Sequence, residues 1–299
     1  MPSLIDAVRD HVVVLDGGLA TELERRGNDL SSALWSARLL ADEPDEIVAA
    51  HRAFVDAGAQ VAITASYQAS FSGLGAEAAA LMRRSVELAR LSGAAWVAAS
   101  IGPYGAVRAD GSEYRGDYGL SVDELRAFHR PRLRVLADAA PDVLAVETIP
   151  CLAEVEALLA ELDTVGVPAW LSLICAGTLT RAGEPAEAAF AMARDCAAVF
   201  AVGVNCIDPR DAPDLVSLAA RASGRPVVVY PNSGETYVRG WHGSTVFDPD
   251  DVTDWIRRGA RLVGGCCRVG PAEIEQLART VRAAAGVEVD RTGEHSGTA

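Results

Sequence analysis

Short apolar, β-branched runs alternate with longer amphipathic stretches along nearly the whole chain. The runs are His11–Asp16, Gln60–Thr64, Ala94–Ile101, Asp142–Glu147, Ala169–Ile174, Val199–Asn205, Pro226–Tyr230 and Arg261–Gly265. Each is followed by a stretch of helical period: Pro44–Gly58, Ala76–Ser92, Ser121–Ala139, Leu152–Leu162, Pro185–Cys196, Ala212–Ala222, Pro249–Arg258 and Pro271–Ala285. Nearly continuous apolar strands separated by helices predict a parallel sheet covered on both faces. Eight such units point to a single-domain (β/α)8 TIM barrel over residues 1–285. The polar segment 286–299 reads as a flexible C-terminal tail. Pro131 is expected to kink its helix or split it in two. The segment "DGGLATELE" after the first run lacks the G-x-G-x-x-G spacing of a dinucleotide fold.

Hydrophobic residues make up 50% of the 299 and charged residues 23%, enough apolar material for a large core. The net charge of −14, from 41 acidic against 27 basic residues, disfavours nucleic acid and anionic membrane as partners. The first residues are acidic where a signal peptide would be apolar. The uncharged runs 91–107 and 164–180 are broken by Gly and Pro, unlike membrane spans. Six cysteines without a secretory context fit reduced thiols and a cytoplasmic location.

Barrel chemistry sits at the carboxyl ends of the strands. There the chain carries Asp16, Thr64 leading into "ASYQAS", Glu147, Cys175, Asn205-Cys206, "YPNSGE" and Cys266-Cys267. The third run leads into an unusually long Tyr- and Gly-rich loop, 102–119, the obvious lid. Cys206, Cys266 and Cys267 converge on one mouth from strands about 10 Å apart along the barrel wall. Three ligands and one open position would suit a catalytic zinc. A redox dithiol and inert core thiols are the other readings of the same cysteines. Consecutive strand residues face opposite ways, so Cys266 and Cys267 can share one ion only if the backbone turns; Gly264, Gly265 and Gly270 would supply that freedom. Cys151 and Cys196 read as small buried hydrophobes, whereas Cys175 could face the mouth. Asp16 and Glu147 are solvated acids, clamps for a substrate ammonium, or a glycosidase pair, the last leaving the cysteines unexplained.

"GVNC" followed by "GGCCR" resembles the zinc-dependent homocysteine S-methyltransferase family. "LDGGLATELERRG", "ITASYQAS", "GPYGAVRADGSEYRGDY", "FHRPR" and "VVYPNSGE" look like its short-chain branch, which uses S-methylmethionine. The resemblance implies Zn2+ held by Cys206, Cys266 and Cys267, with Asp16 and Glu147 binding the homocysteine amino group. It also implies methyl transfer from a sulfonium donor to the homocysteine thiolate, forming methionine. Thr64, Tyr67, Asn205 and Asn232 are further expected substrate contacts, with Ser233 and Glu235 beside Asn232 at the donor's amino-acid end. Trp35, Tyr104, Tyr114 and Tyr118 are further aromatic faces for a sulfonium. S-adenosylmethionine or betaine as donor, and a thiol- or metal-responsive sensor without turnover, are the alternatives.

Overall fold

The computed structural model describes residues 2–30, 35–108, 110–237 and 241–293. Eight parallel strands form one sheet: β1 (Val13–Val14), β2 (Val61–Ile63), β3 (Trp96–Ile101), β4 (Val143–Ile149), β5 (Ala169–Leu173), β6 (Val199–Asn205), β7 (Val227–Tyr230) and β8 (Ala260–Val263). Neighbours follow the order β1-β8-β7-β6-β5-β4-β3-β2. A parallel bridge between Leu15 and Val61 joins the two ends and closes the barrel. Each predicted run overlaps its strand, and each predicted helical stretch overlaps a helix.

Alternation along the strands sorts the side chains into two cores. One set faces outward and packs under the surrounding helices, including Val97, Leu144, Leu171, Val202 and Val229. The other fills the barrel, including Val13, Leu15, Val61, Trp96, Val143, Trp170 and Leu262. Helix Leu4–Asp10, which the periodicity did not single out, plugs the amino end of the barrel with Leu4, Ala7 and Val8. Toward the carboxyl end the inward positions become polar. Two residues beyond Ala98, Ala145 and Trp170 stand Ser100, Glu147 and Ser172, all buried. Tyr230 follows Val228 in the same way.

The structure differs from expectation at three places. Pro131 does not split its helix into separate segments: Val122–Asp138 is continuous with Pro131 inside it, opened by a Ser121/Glu124 capping box. The last helix runs from Pro271 to Gly293, past the barrel boundary expected at 285, and residues 294–299 lie outside the described residues. The segment 102–119 is no open loop, since it holds helix Tyr104–Arg108 and a 3-10 turn at Ser112–Tyr114. No helix among the described residues is long and apolar enough to cross a membrane.

Candidate active site and metal centre

At the carboxyl ends of β4 and β6 and beyond β8 the chain leaves the extended conformation at non-glycine residues. Thr148, Cys206 and Arg268 have φ of 62°, 52° and 67°. Left-handed backbone costs each of them roughly 1–2 kcal/mol and clusters where function demands it. The result is that consecutive residues face one space: Glu147 with Thr148, Asn205 with Cys206, and Cys266 with Cys267 all line the same cavity. In β4 the pairing register shifts between Val146 and Ile149, the bulge that lets both Glu147 and Thr148 turn inward.

The turn that brings Cys266 and Cys267 together is closed by the Val269 N–H donating to Cys266 O at 3.1 Å. Its left-handed position falls on Arg268, and neither Gly264 nor Gly265 has positive φ. These glycines serve close approach instead of freedom. A Cβ on Gly264 would lie 2.7 Å from Asp16 O, and one on Gly265 2.2 Å from a Val269 methyl. The same holds for the Asp16-Gly17-Gly18 segment, where a Cβ on Gly18 would stand 2.5 Å from Cys266 O. The first and last strands thus meet through bare backbone.

The segment after β7 braces this turn. Cys266 N–H donates to Pro231 O at 2.7 Å, and Ser233 N–H to Cys267 O at 3.0 Å. Asn232 Oδ1 accepts from Cys267 N–H at 3.0 Å. Glu235 pairs with Arg268 at 3.1 Å and accepts from the Ser233 hydroxyl at 2.9 Å. Asn232, Ser233 and Glu235, expected to touch substrate, do not line the cavity. They hold the cysteine turn in place.

The three sulfurs of Cys206, Cys266 and Cys267 lie within 4.8 Å of one another, with 4.0 Å between Cys266 and Cys267. Sulfurs at about 2.3 Å from a tetrahedral zinc stand roughly 3.8 Å apart, so the trio is close to ligating distance. Hydrogen bonds from Cys206 and Cys266 hold the Cys267 thiol well below its usual range. Its bonds to Cys206 and Cys267 hold Cys266 well above. Sulfurs that share protons in this way are a donor set in which a cation can replace protons. Asn205 stands behind them: its Oδ1 accepts from Thr148 N–H at 2.7 Å and from Ser172 at 2.8 Å. Its Nδ2 donates to Thr148 Oγ1 at 2.7 Å and reaches Cys206 Sγ at 3.4 Å.

The cavity above the sulfurs encloses about 320 Å3. Asp16 and Glu147 both line it and are buried. Asp16 Oδ2 accepts from Ile63 N–H at 2.8 Å, while buried Oδ1 has no partner. Burial lifts the Asp16 carboxyl well above its usual range, and the Glu147 charge adds to the rise. Glu147 accepts from the Ser100 hydroxyl and, at 2.9 Å, from Tyr230 OH. Burial raises its carboxyl to about 7 although both bonds pull the other way. Thr64 reaches the cavity, but its hydroxyl is committed to Ser100 N–H at 3.0 Å and Ser66 at 2.7 Å. Tyr67 and Tyr114 line the cavity; Tyr104 and Tyr118 meet edge to face, centroids 5.3 Å apart, outside its lining. The Trp35 side chain lies outside the described residues. Cys151, Cys175 and Cys196 are buried away from the cavity.

Sequence reading missed Gln68, Ser100, Glu113, Thr148 and Tyr230 in the lining. Strand alternation could have found Ser100 and Tyr230, because they continue inward-facing series. Nothing comparable marks Gln68, in a turn, or Glu113, in the 3-10 turn Ser112–Tyr114.

Comparison with known proteins bears on the same site. A sequence model described as homocysteine S-methyltransferase matches residues 13–281. The chain is 45% identical to homocysteine S-methyltransferase 4 of Zea mays, over 91% of this chain and 90% of that one. It is 41% identical to homocysteine S-methyltransferase YbgG of Bacillus subtilis, over 91% and 95% of the two. It superposes on the metallated homocysteine methyltransferase MmuM of Escherichia coli with a TM-score of 0.83 at 40% identity, covering 92% of this chain and 99% of that chain.

Proposed function

The chain belongs to the homocysteine S-methyltransferase family, and on that premise we propose that it transfers a methyl group from S-methylmethionine to the thiolate of homocysteine, held at a Cys206–Cys266–Cys267 zinc centre, yielding methionine. The observation that carries the reading is the convergence of three sulfurs, within 4.8 Å of one another, on a cavity that also holds two buried carboxylates.

The donor set fits zinc. Cys206, Cys266 and Cys267 would hold the ion, and an all-sulfur set favours a soft or borderline one. Zinc bound there would supply the Lewis acidity that lets a fourth thiol ionise near neutral pH, far below its ordinary value of about 8.5. The remaining tasks fall to the chain. Asp16 Oδ1, a buried acceptor without a partner, suits the homocysteine ammonium group. Glu147, locked by Ser100 and Tyr230, presents its carboxylate to the same cation from β4. A positive charge between the two acids removes the repulsion and part of the desolvation that raise their affinity for protons.

Methyl transfer from a sulfonium to a thiolate destroys one positive and one negative charge. A cavity that excludes water therefore favours the transition state over the separated ions. No proton has to move at carbon, and no base is needed there. The chain supplies alignment of sulfur, methyl and sulfur, with Tyr67 and Tyr114 as aromatic faces for the cationic donor. A non-catalytic sensor would need neither the cavity nor the carboxylates.

Incubating the purified protein with homocysteine and S-methylmethionine, S-adenosylmethionine or betaine in turn tests the donor. Methionine forms fastest from S-methylmethionine. Equal or faster turnover with either of the other two would overturn the donor assignment, and no methionine from any of them would overturn the activity.

A further inference from the structure

The cavity lining contains a second set of acceptors without partners, on the side built by the loops after β2 and β3. Glu113 Oε2 and Gln68 Oε1 are both buried and lack any hydrogen-bond partner, and both residues line the cavity. One short helix holds the pair in place. Gln68 Nε2 donates to Ala106 O at 3.4 Å, leaving its oxygen free. The Glu113 backbone packs so closely on Gly105 that a Cβ there would lie 2.3 Å from Glu113 N. Beneath this helix, buried Arg132 donates to Tyr67 O at 3.1 Å, Ala69 O at 2.8 Å and Gly102 O at 2.9 Å. Buried Glu154 takes the Tyr104 N–H at 2.6 Å and His129 Nε2 at 2.8 Å. The "FHRPR" segment of the sequence thus fixes the bases of both loops.

A buried carboxylate oxygen without a donor is costly, and chains keep such groups where a ligand completes them. Asp16 already offers one orphaned carboxylate oxygen for the acceptor's ammonium group. Methyl transfer from S-methylmethionine to homocysteine brings two amino acids into one cavity, so a second ammonium group must also be seated. No Lys, Arg or His among the described residues lines the cavity, so none of these competes for Glu113 from within it. Asp110 and Arg115 flank Glu113 in sequence, but Arg115 is paired with Asp117 at 3.3 Å and Asp110 with Arg108 at 2.9 Å.

We infer that Glu113 and Gln68 form the donor's ammonium subsite, making the enzyme selective for sulfonium donors that are themselves α-amino acids. This rests on the methyltransferase reading and deepens it. Tyr67, beside Gln68 in the chain, and Tyr114, beside Glu113, are both in the lining, so the same two loops offer aromatic faces to the sulfonium.

The test compares wild type with Glu113→Gln, using S-methylmethionine and a dimethylsulfonium carboxylate of similar length that has no amino group. Calorimetric binding of each compound to the zinc-loaded protein accompanies the kinetics. Loss of one charge-assisted bond predicts a rise of about 10- to 100-fold in the KM and Kd for S-methylmethionine. The KM for homocysteine and the response to the amino-free donor should change less than about threefold. An equal loss with both donors, a shift in the homocysteine KM instead, or no change in S-methylmethionine binding overturns the subsite. A wild type that binds S-methylmethionine but yields no methionine refutes the methyl-transfer reading, and Glu113→Gln binding still decides the subsite. Wild type that binds neither donor refutes it outright.

Discussion

Asn205 commits its whole side chain to its neighbours. Its oxygen takes the Thr148 N–H and the Ser172 hydroxyl, and its nitrogen serves Thr148 Oγ1 and the Cys206 sulfur. It therefore holds two strained residues, Thr148 and Cys206, in left-handed backbone beside the sulfur trio. Replacing it by Ala leaves a buried N–H and a buried hydroxyl without an acceptor, at about 1–3 kcal/mol each. Asn205→Ala should lower unfolding free energy by roughly 2–4 kcal/mol and weaken metal affinity about 10- to 100-fold, as loss of an outer brace does at other metal sites. Denaturant titration and competition with a chelator measure the two effects; unchanged values for both would show that Asn205 is no brace. Single residues also mark the limit of the sequence reading. Asn232 was legible as a polar residue at a strand end, but not the direction it faces, and it supports Cys267 without entering the cavity. The adjacent cysteines were legible as a pair needing a turn; that Arg268, not a glycine, takes the left-handed position was not.

At the scale of elements, each predicted strand was found because apolar runs bounded by Gly, Pro and polar residues are the signature of a buried parallel sheet. The helices that cap the barrel were harder. Leu4–Asp10 spans only seven residues, too short for a helical period to declare itself, yet it seals the amino end. Leu4 is 1% exposed against the inner core. Leu4→Ala should cost about 2–4 kcal/mol of stability by leaving a void there. The steady-state constants should not move, because the void lies at the end of the barrel opposite the cavity. A thermal or urea transition coincident with wild type would show that this helix does not seal the barrel. Helix Leu19–Arg25 was hidden in a motif read for its chemistry, and the 102–119 segment was read as a lid although Tyr104–Arg108 is helical within it.

Across the whole molecule, acid stability should be governed in part by groups far from the reaction. His51 is fully buried in helix Pro44–Asp56, neither ring nitrogen has a partner, and burial lowers its pKa to about 4. The unfolded chain takes up this proton below about pH 6.5 and the folded chain only near 4, so stability falls as pH drops through that window. Relative to wild type, His51→Leu should gain about 3 kcal/mol between pH 7 and pH 4, read from urea unfolding at both. A difference that does not vary with pH would mean that His51 accepts its proton in the folded state. The whole-molecule architecture was the most legible level, since eight repeated units leave little choice of fold, and barrel geometry then dictates where the chemistry must gather. What emerges only in the folded chain is the cavity's lining and its orphaned acceptors, because side chains outside regular elements carry no periodic signal. On the proposed function, Cys206, Cys266 and Cys267 together would hold one zinc that activates homocysteine. Elemental analysis and methionine formation from S-methylmethionine, measured on wild type and Cys266→Ser side by side, test it most directly. One zinc per wild-type chain is expected, with near-complete loss of both zinc and activity in the variant; metal-free protein with full activity would overturn the zinc centre.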